Sequence, residues 1–181
     1  VPVLADDGVS LVLSGDVPLI QADTLSALLT MCDGQHLALL TLQTPTPTGY
    51  GRLVRNSQAQ VQAIVEEKDA DDAERAIREI NTGIMALPTA RFAAWLGKLK
   101  PQNAQKEYYL TDIVSMAVKQ GVAVHTAQPA HEWEIHGINS KAQLAVLERT
   151  WQLVEAERLL AQGVTLADPA RIDVRGKLSC G

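Results

Sequence analysis

The sequence predicts an α/β fold, a mostly parallel sheet flanked by helices, on three observations. Short apolar runs of strand length, Val9–Leu13 and Leu37–Gln43, alternate with longer stretches of helical period. These runs lack the in-out alternation of a half-solvated sheet and read as strands covered on both faces. Hydrophobic residues make up 46% of the 181 residues and charged residues 20%, a composition that suits a packed core and excludes a disordered chain.

The elements follow in order. Val9–Leu13 is the first strand. Asp23 is expected to cap a helix over 24–31, with Leu25, Leu28 and Leu29 on its apolar face. Leu37–Gln43 is a second buried strand. Thr44-Pro45-Thr46-Pro47-Thr48 must be loop, because neither proline donates a ladder hydrogen bond. Residues 51–56 and 61–66 read as two strands joined by a polar turn, an antiparallel insertion in the sheet. A charged helix over 69–78 and a strand over 79–87 follow, with Pro88 ending the strand and Thr89 capping a helix that buries Phe92 and Trp95. A helix over 110–120 stops at Gly121, a strand runs over 122–126, and the longest helix, 140–162, stops at Gly163.

Several function classes drop out. The net charge is −5 and the lysines and arginines are scattered, so no nucleic-acid partner is expected. No apolar run approaches the roughly 20 residues that span a bilayer. Cys32 and Cys180 lack metal-ligand spacing and are expected to be plain thiols. The chain starts at Val1 with no basic-plus-apolar leader. The expectation is a soluble, cytoplasmic protein, processed, truncated or only partly observed.

A few residues point to chemistry. The first strand ends in Ser14-Gly15-Asp16-Val17-Pro18-Leu19, which delivers a carboxylate to a turn at the carboxyl end of a strand, where open α/β sheets bind ligands. Read alone, Asp16 caps that turn. Asn139 stands before the longest helix and reads alone as its N-cap, although Ser140 offers the same service. Glu66 ends a strand in the same sense as Asp16. Asn81 is a misfit inside an apolar strand, and a buried amide must find partners. Nothing suggests a Ser-His-Asp arrangement.

Six segments in this order carry a family likeness: the one ending the first strand, Pro47-Thr48-Gly49-Tyr50-Gly51-Arg52, Ile64-Val65-Glu66-Glu67-Lys68-Asp69, Glu79-Ile80-Asn81-Thr82-Gly83, Glu107-Tyr108-Tyr109-Leu110-Thr111-Asp112 and Gly137-Ile138-Asn139. Together they resemble the bacterial bifunctional N-acetylglucosamine-1-phosphate uridyltransferase / glucosamine-1-phosphate acetyltransferase family. The likeness covers roughly residues 11–175. It implies that residues 1–163 are part of a Rossmann-like uridyltransferase domain, ending in the long helix. Residues 164–181 would begin a left-handed β-helix that carries the acetyltransferase and trimerises.

The resemblance also implies roles. Asp16 and Asn139 would ligate Mg²⁺, a hard ion suited to oxygen donors. Gly51, Glu66 and Asn81 would bind the sugar, with Tyr108 and Tyr109 near its N-acetyl group. Ser14 and Gly15 would touch the nucleotide through their backbone, although family members commonly carry an aromatic residue where this chain has Ser14. The implied substrates are UTP and N-acetylglucosamine 1-phosphate, and the product is UDP-N-acetylglucosamine. The family's Gly-rich triphosphate loop is not among these 181 residues. As an isolated fragment they are therefore expected to be inactive, and to associate through the edge of the first strand. The competing readings are another sugar-phosphate nucleotidyltransferase and a non-catalytic sugar-phosphate-binding module.

Overall fold

The computed structural model describes residues 7–176 and Leu178. These form two compact units, one from residues up to 14 together with 20–132, the other from 15–19 together with the residues from 133 onward.

The first unit holds a six-stranded sheet built from β1 (Val9–Val12), β2 (Leu37–Gln43), β3 (Arg52–Arg55), β4 (Val61–Val65), β5 (Glu79–Pro88) and β6 (Val124–Ala127). Helices α1 (Ala22–Cys32), α2 (Asp72–Arg75), α3 (Thr89–Leu96) and α4 (Asp112–Lys119) accompany it. The strand order is β4-β3-β5-β2-β6, with β1 also on β5. The α/β class is as expected, but the pairing is not mostly parallel. Only β2 and β6 pair in parallel, while β5 runs against β1, β2 and β3, and β4 runs against β3. Strands β1, β2, β3 and β6 do share one direction, and β5 is inserted among them. A fully buried strand reads the same whichever way its neighbours run, so the sequence could not reveal this.

Strand β5 is the centre of the unit. One of its edges pairs with β2 along most of its length. The other takes Ile80 against Arg52 of β3 near its start, and Met85–Pro88 against β1 at its end. Between the two lies a bulge, in which residues 82–84 stand against Leu40 alone. Gly83 takes φ +82° there, a conformation that side chains rarely adopt. The Thr82 hydroxyl donates to the Leu40 carbonyl at 2.8 Å and closes the bulge.

The core lies beneath this sheet. Leu37, Leu39, Met85, Leu87, Trp95, Ile113, Val114 and Ala117 are all buried in one cluster. Amphipathic α4 supplies the last three, and Trp95 of α3 also donates its indole N–H to Gln120 at 3.1 Å.

Several boundaries moved. Helix α1 begins before Asp23, which sits in its first turn, and its buried positions are Thr24, Leu28 and Cys32, while Leu29 is exposed. The charged helix shrinks to four residues because an Asp71–Glu74 capping box starts it late. Thr89 does not cap α3; its hydroxyl bonds to Ser10 at 2.8 Å and ties β1 to the helix start.

The second unit is built on α5 (Lys141–Ala161). Ser140 caps it by accepting the Gln143 N–H. The chain after α5 turns back along it. Buried Gln152 accepts the Val174 N–H at 2.6 Å and donates to its carbonyl at 3.1 Å, and Arg149 donates to the carbonyls of Ala170 and Ile172. No helix among the described residues is long and apolar enough to cross a membrane. Cys180 lies outside the described residues.

Candidate functional site

In the first unit the structure brings Gly51, Glu66 and Asn81 together. The loop holding both prolines presents Gly51, which is buried, just before β3. Its α-carbon lies so close to its neighbours that a β-carbon there would stand 2.9 Å from Ile64 and 3.2 and 3.3 Å from the two Glu66 carboxylate oxygens. The Asn81 N–H donates to the Gly51 carbonyl at 2.9 Å. Thus Glu66 just past β4, Gly51 before β3 and Asn81 in β5 form one contiguous patch.

Asn81 is 7% exposed, and its side-chain oxygen accepts the Gly83 N–H at 3.2 Å. The misfit in the strand is therefore the residue that shapes the bulge. Ser14 lies beside the same bulge, its hydroxyl 3.1 Å from where a Gly83 β-carbon would stand.

The loop before β3 is pinned from below. Glu67 accepts the Gly49 N–H, and Arg52, 2% exposed, donates to the Tyr50 carbonyl and lies 3.8 Å from Glu67. The Arg52 Nε is buried without a partner, so this guanidinium is incompletely satisfied. Arg52 and Glu67 stand in two of the segments that carry the family likeness, and no role of their own is expected for them from sequence. Neither residue carries a local signal of burial, because a charged residue beside a short strand reads as solvent-facing until the strand's neighbours are known.

Glu66 sits in acidic company. Burial, then the carboxylates of Asp69, Glu66 and Glu107, push the Tyr109 phenol above its usual range. Burial and then Asp69 raise the Asp112 carboxyl likewise. Tyr109 is half-buried and donates to Gln105 at 2.9 Å, whereas Tyr108 is 68% exposed. The Thr111 hydroxyl donates to Glu66 at 2.9 Å, a contact the sequence did not suggest.

In the second unit Asp16 and Asn139 are neighbours, although 123 positions part them in the chain. The Ile138 N–H donates to the Asp16 carbonyl at 2.9 Å. Around Gly137 a β-carbon would lie 3.1 Å from Asp16 Oδ2 and 3.8 Å from the Asn139 amide nitrogen. Both side chains are exposed. Ser140 does the helix capping, which leaves the Asn139 side chain free of that duty. A carboxylate and an amide are oxygen donors of the kind that suits a hard divalent cation. Turning the amide about its last bond brings oxygen in place of nitrogen. Among the described residues no three His, Cys, Asp or Glu side chains group as a metal-ligand set. Gly15 is exposed, with nothing within 4 Å of its side-chain position.

A hollow of about 700 Å³ lies elsewhere in the first unit, lined by Arg55, Gln60, Val61, Val122 and Thr126 among others. None of the predicted site residues borders it.

The fold has a counterpart among solved structures. It is similar to the solved structure of a putative glucose-1-phosphate thymidylyltransferase from Bacillus anthracis in complex with a sucrose. The TM-score is 0.55 at 16% identity, over 91% of this chain and 58% of that one. No family model matches the chain. Its sequence is similar to the bifunctional protein GlmU of Nitrosospira multiformis, 59% identical over 99% of this chain and 39% of the relative. GlmU of Thiobacillus denitrificans is likewise 59% identical over 99% and 39%, and that of Bordetella petrii 59% over 100% and 40%. Over the length it spans, the chain is a homologue of the bifunctional GlmU protein. It spans about two fifths of the length of these curated relatives.

Proposed function

We propose that the chain is uridyltransferase sequence of a bifunctional protein that makes UDP-N-acetylglucosamine and pyrophosphate from UTP and N-acetylglucosamine 1-phosphate. The observation that carries this reading is the convergence of Gly51, Glu66 and Asn81, three residues far apart in the chain, into one patch. The relatives named above support the choice of enzyme.

In this reading Glu66 and the Asn81 amide bind the sugar's hydroxyls, and Gly51 lets the sugar approach the backbone because it has no side chain. Tyr109 stands near the N-acetyl group. Ser14 and Gly15 face the nucleotide through their main chain. Asp16 and Asn139 hold Mg²⁺. When bound, the ion offsets negative charge on the reacting phosphates.

The sugar's phosphate is ionised at neutral pH, so the chain needs no general base. A phosphate oxygen of N-acetylglucosamine 1-phosphate bonds to the α-phosphorus of UTP as the bond to the departing pyrophosphate breaks. The protein's contribution is alignment of these groups and exclusion of the wrong sugar. In the proposed whole protein, residues 1–163 belong to the uridyltransferase domain. Residues 164–181 open an acetyltransferase β-helix that uses acetyl-CoA on glucosamine 1-phosphate and assembles as a trimer. Its setting is the cytoplasm, where its product feeds cell-wall synthesis.

The test is pyrophosphate release by the full-length protein, with UTP or dTTP against N-acetylglucosamine 1-phosphate or glucose 1-phosphate. Turnover confined to UTP with the N-acetylated sugar is the expected result. Preference for dTTP or for glucose 1-phosphate would move the chain to another nucleotidyltransferase, and no turnover with any pair would make it a binding module.

A further inference from the structure

Thr111 occupies the N-cap position of α4, where a threonine hydroxyl usually accepts a free backbone N–H. Here it makes no capping bond, and its own backbone is helical, with φ −61° and ψ −21°. The hydroxyl instead donates to Glu66 Oε1 at 2.9 Å. Thr111 is 8% exposed and is followed on α4 by Ile113, Val114 and Ala117, each at 0%. The donor thus stands on an element locked into the core. Its acceptor lies just past the end of β4, where the ladder no longer holds it.

Glu66 needs such a fixture. Among the described residues no cation pairs with it, and Asp69 and Glu107 act with it on the Tyr109 phenol. The bond from Thr111 occupies Oε1, and Oε2 carries no hydrogen bond from the described residues. Both oxygens face Gly51, 3.3 Å (Oε1) and 3.2 Å (Oε2) from where a β-carbon would stand.

We propose that Thr111 is a positioning residue for sugar recognition. It gives up capping its helix to fix Glu66, so that one carboxylate oxygen is engaged and the other is presented to a sugar hydroxyl. This rests on the sugar-binding role proposed for Glu66.

The experiment is steady-state kinetics of the full-length protein and its Thr111→Val, Thr111→Ser, Glu66→Ala and Thr111→Val/Glu66→Ala variants, with thermal melting of each. Losing a hydrogen bond to a charged group should raise KM for N-acetylglucosamine 1-phosphate roughly tenfold in Thr111→Val, with kcat and the KM for UTP within about threefold. Thr111→Ser keeps the hydroxyl and should restore KM to within about threefold of the parent. In the Glu66→Ala background, adding Thr111→Val should change KM by less than about twofold, because the two residues act as one unit. Wild-type KM in Thr111→Val, failure of Thr111→Ser to rescue, or a full further loss in the Glu66→Ala background would each overturn the proposal. Should Thr111→Val not fold, Thr111→Ala is read against the same thresholds. An unmutated protein that does not turn over the sugar phosphate overturns the proposed function itself; an active one indifferent to Thr111→Val overturns only the role of Thr111.

Discussion

Asn81 and Gly51 are joined main chain to main chain, with the Asn81 N–H donating to the Gly51 carbonyl at 2.9 Å. Two residues assigned to the sugar are thus spaced by the sheet itself. The side chain missing from Gly51 matters as much, because a methyl group there would stand 2.9 Å from Ile64 and about as close to the Glu66 carboxylate as packing allows.

Gly51→Ala should therefore destabilise the protein by about 1–3 kcal/mol through overpacking. It should also displace Glu66 and raise KM for the sugar phosphate more than for UTP. Chemical denaturation and substrate kinetics check the two effects. An unchanged sugar KM would remove Gly51 from the binding patch.

Asp16→Ala in the full-length protein should abolish metal-dependent uridyl transfer and shift the melting temperature by no more than about 2 °C, as for a surface change. The side chain is exposed, and the hydrogen bond that ties this turn to Ile138 uses the Asp16 backbone carbonyl, which alanine retains. Activity within about tenfold of the parent at saturating Mg²⁺ would refute the ligand role.

Glu79 ties β5 to β3 through a two-point pair with Arg55, at 2.7 and 2.8 Å, and accepts the Thr41 hydroxyl at 3.0 Å. Burial pushes its carboxyl up, but the Arg55 hydrogen bonds and charge, with Thr41, outweigh burial and hold it below the usual 4.5. A depressed pKa in the folded state means that this stabilisation is complete above the unfolded value. It is lost as the pH falls through the lower, folded one. Glu79→Gln should cost about 2 kcal/mol at pH 7. The penalty should shrink as the pH falls below 4.5. Urea titrations at pH 7 and pH 3 measure it, and a penalty equal at both pH values would contradict the assignment.

Cys32 is fully buried and donates its thiol to the His36 carbonyl. Burial raises its pKa, with Asp33 adding to the shift and the Gly34 N–H opposing it. Iodoacetamide at pH 8 should leave the Cys32 peptide unmodified in the native protein and label it after denaturation, as read by mass spectrometry. Rapid native labelling would show that α1 opens readily.

Much of this was legible because the signals are local. Apolar runs and punctuating glycines gave the strands and the stops of α4 and α5. Asn81 was conspicuous because an amide in a buried strand must be satisfied nearby, and it is, by the bulge. The direction of β5 was hidden, since burial on both faces erases any trace of neighbour orientation. Thr111 was hidden for a different reason: at a helix start a threonine reads as a cap, and only the fold shows its hydroxyl turned toward Glu66. The burial of Arg52, and the partial burial of Glu67, likewise depend on what packs around them.

The bulge at residues 82–84 has a consequence for how such a sheet can change over time. It divides β5 into two registers against β2, one on each side of Leu40. The stretch that carries Asn81 and the stretch that carries Met85 are therefore aligned on β2 separately. The strand is in this sense modular: an insertion or deletion within residues 82–84 would leave the pairing of the half that carries Met85 and Leu87 in place.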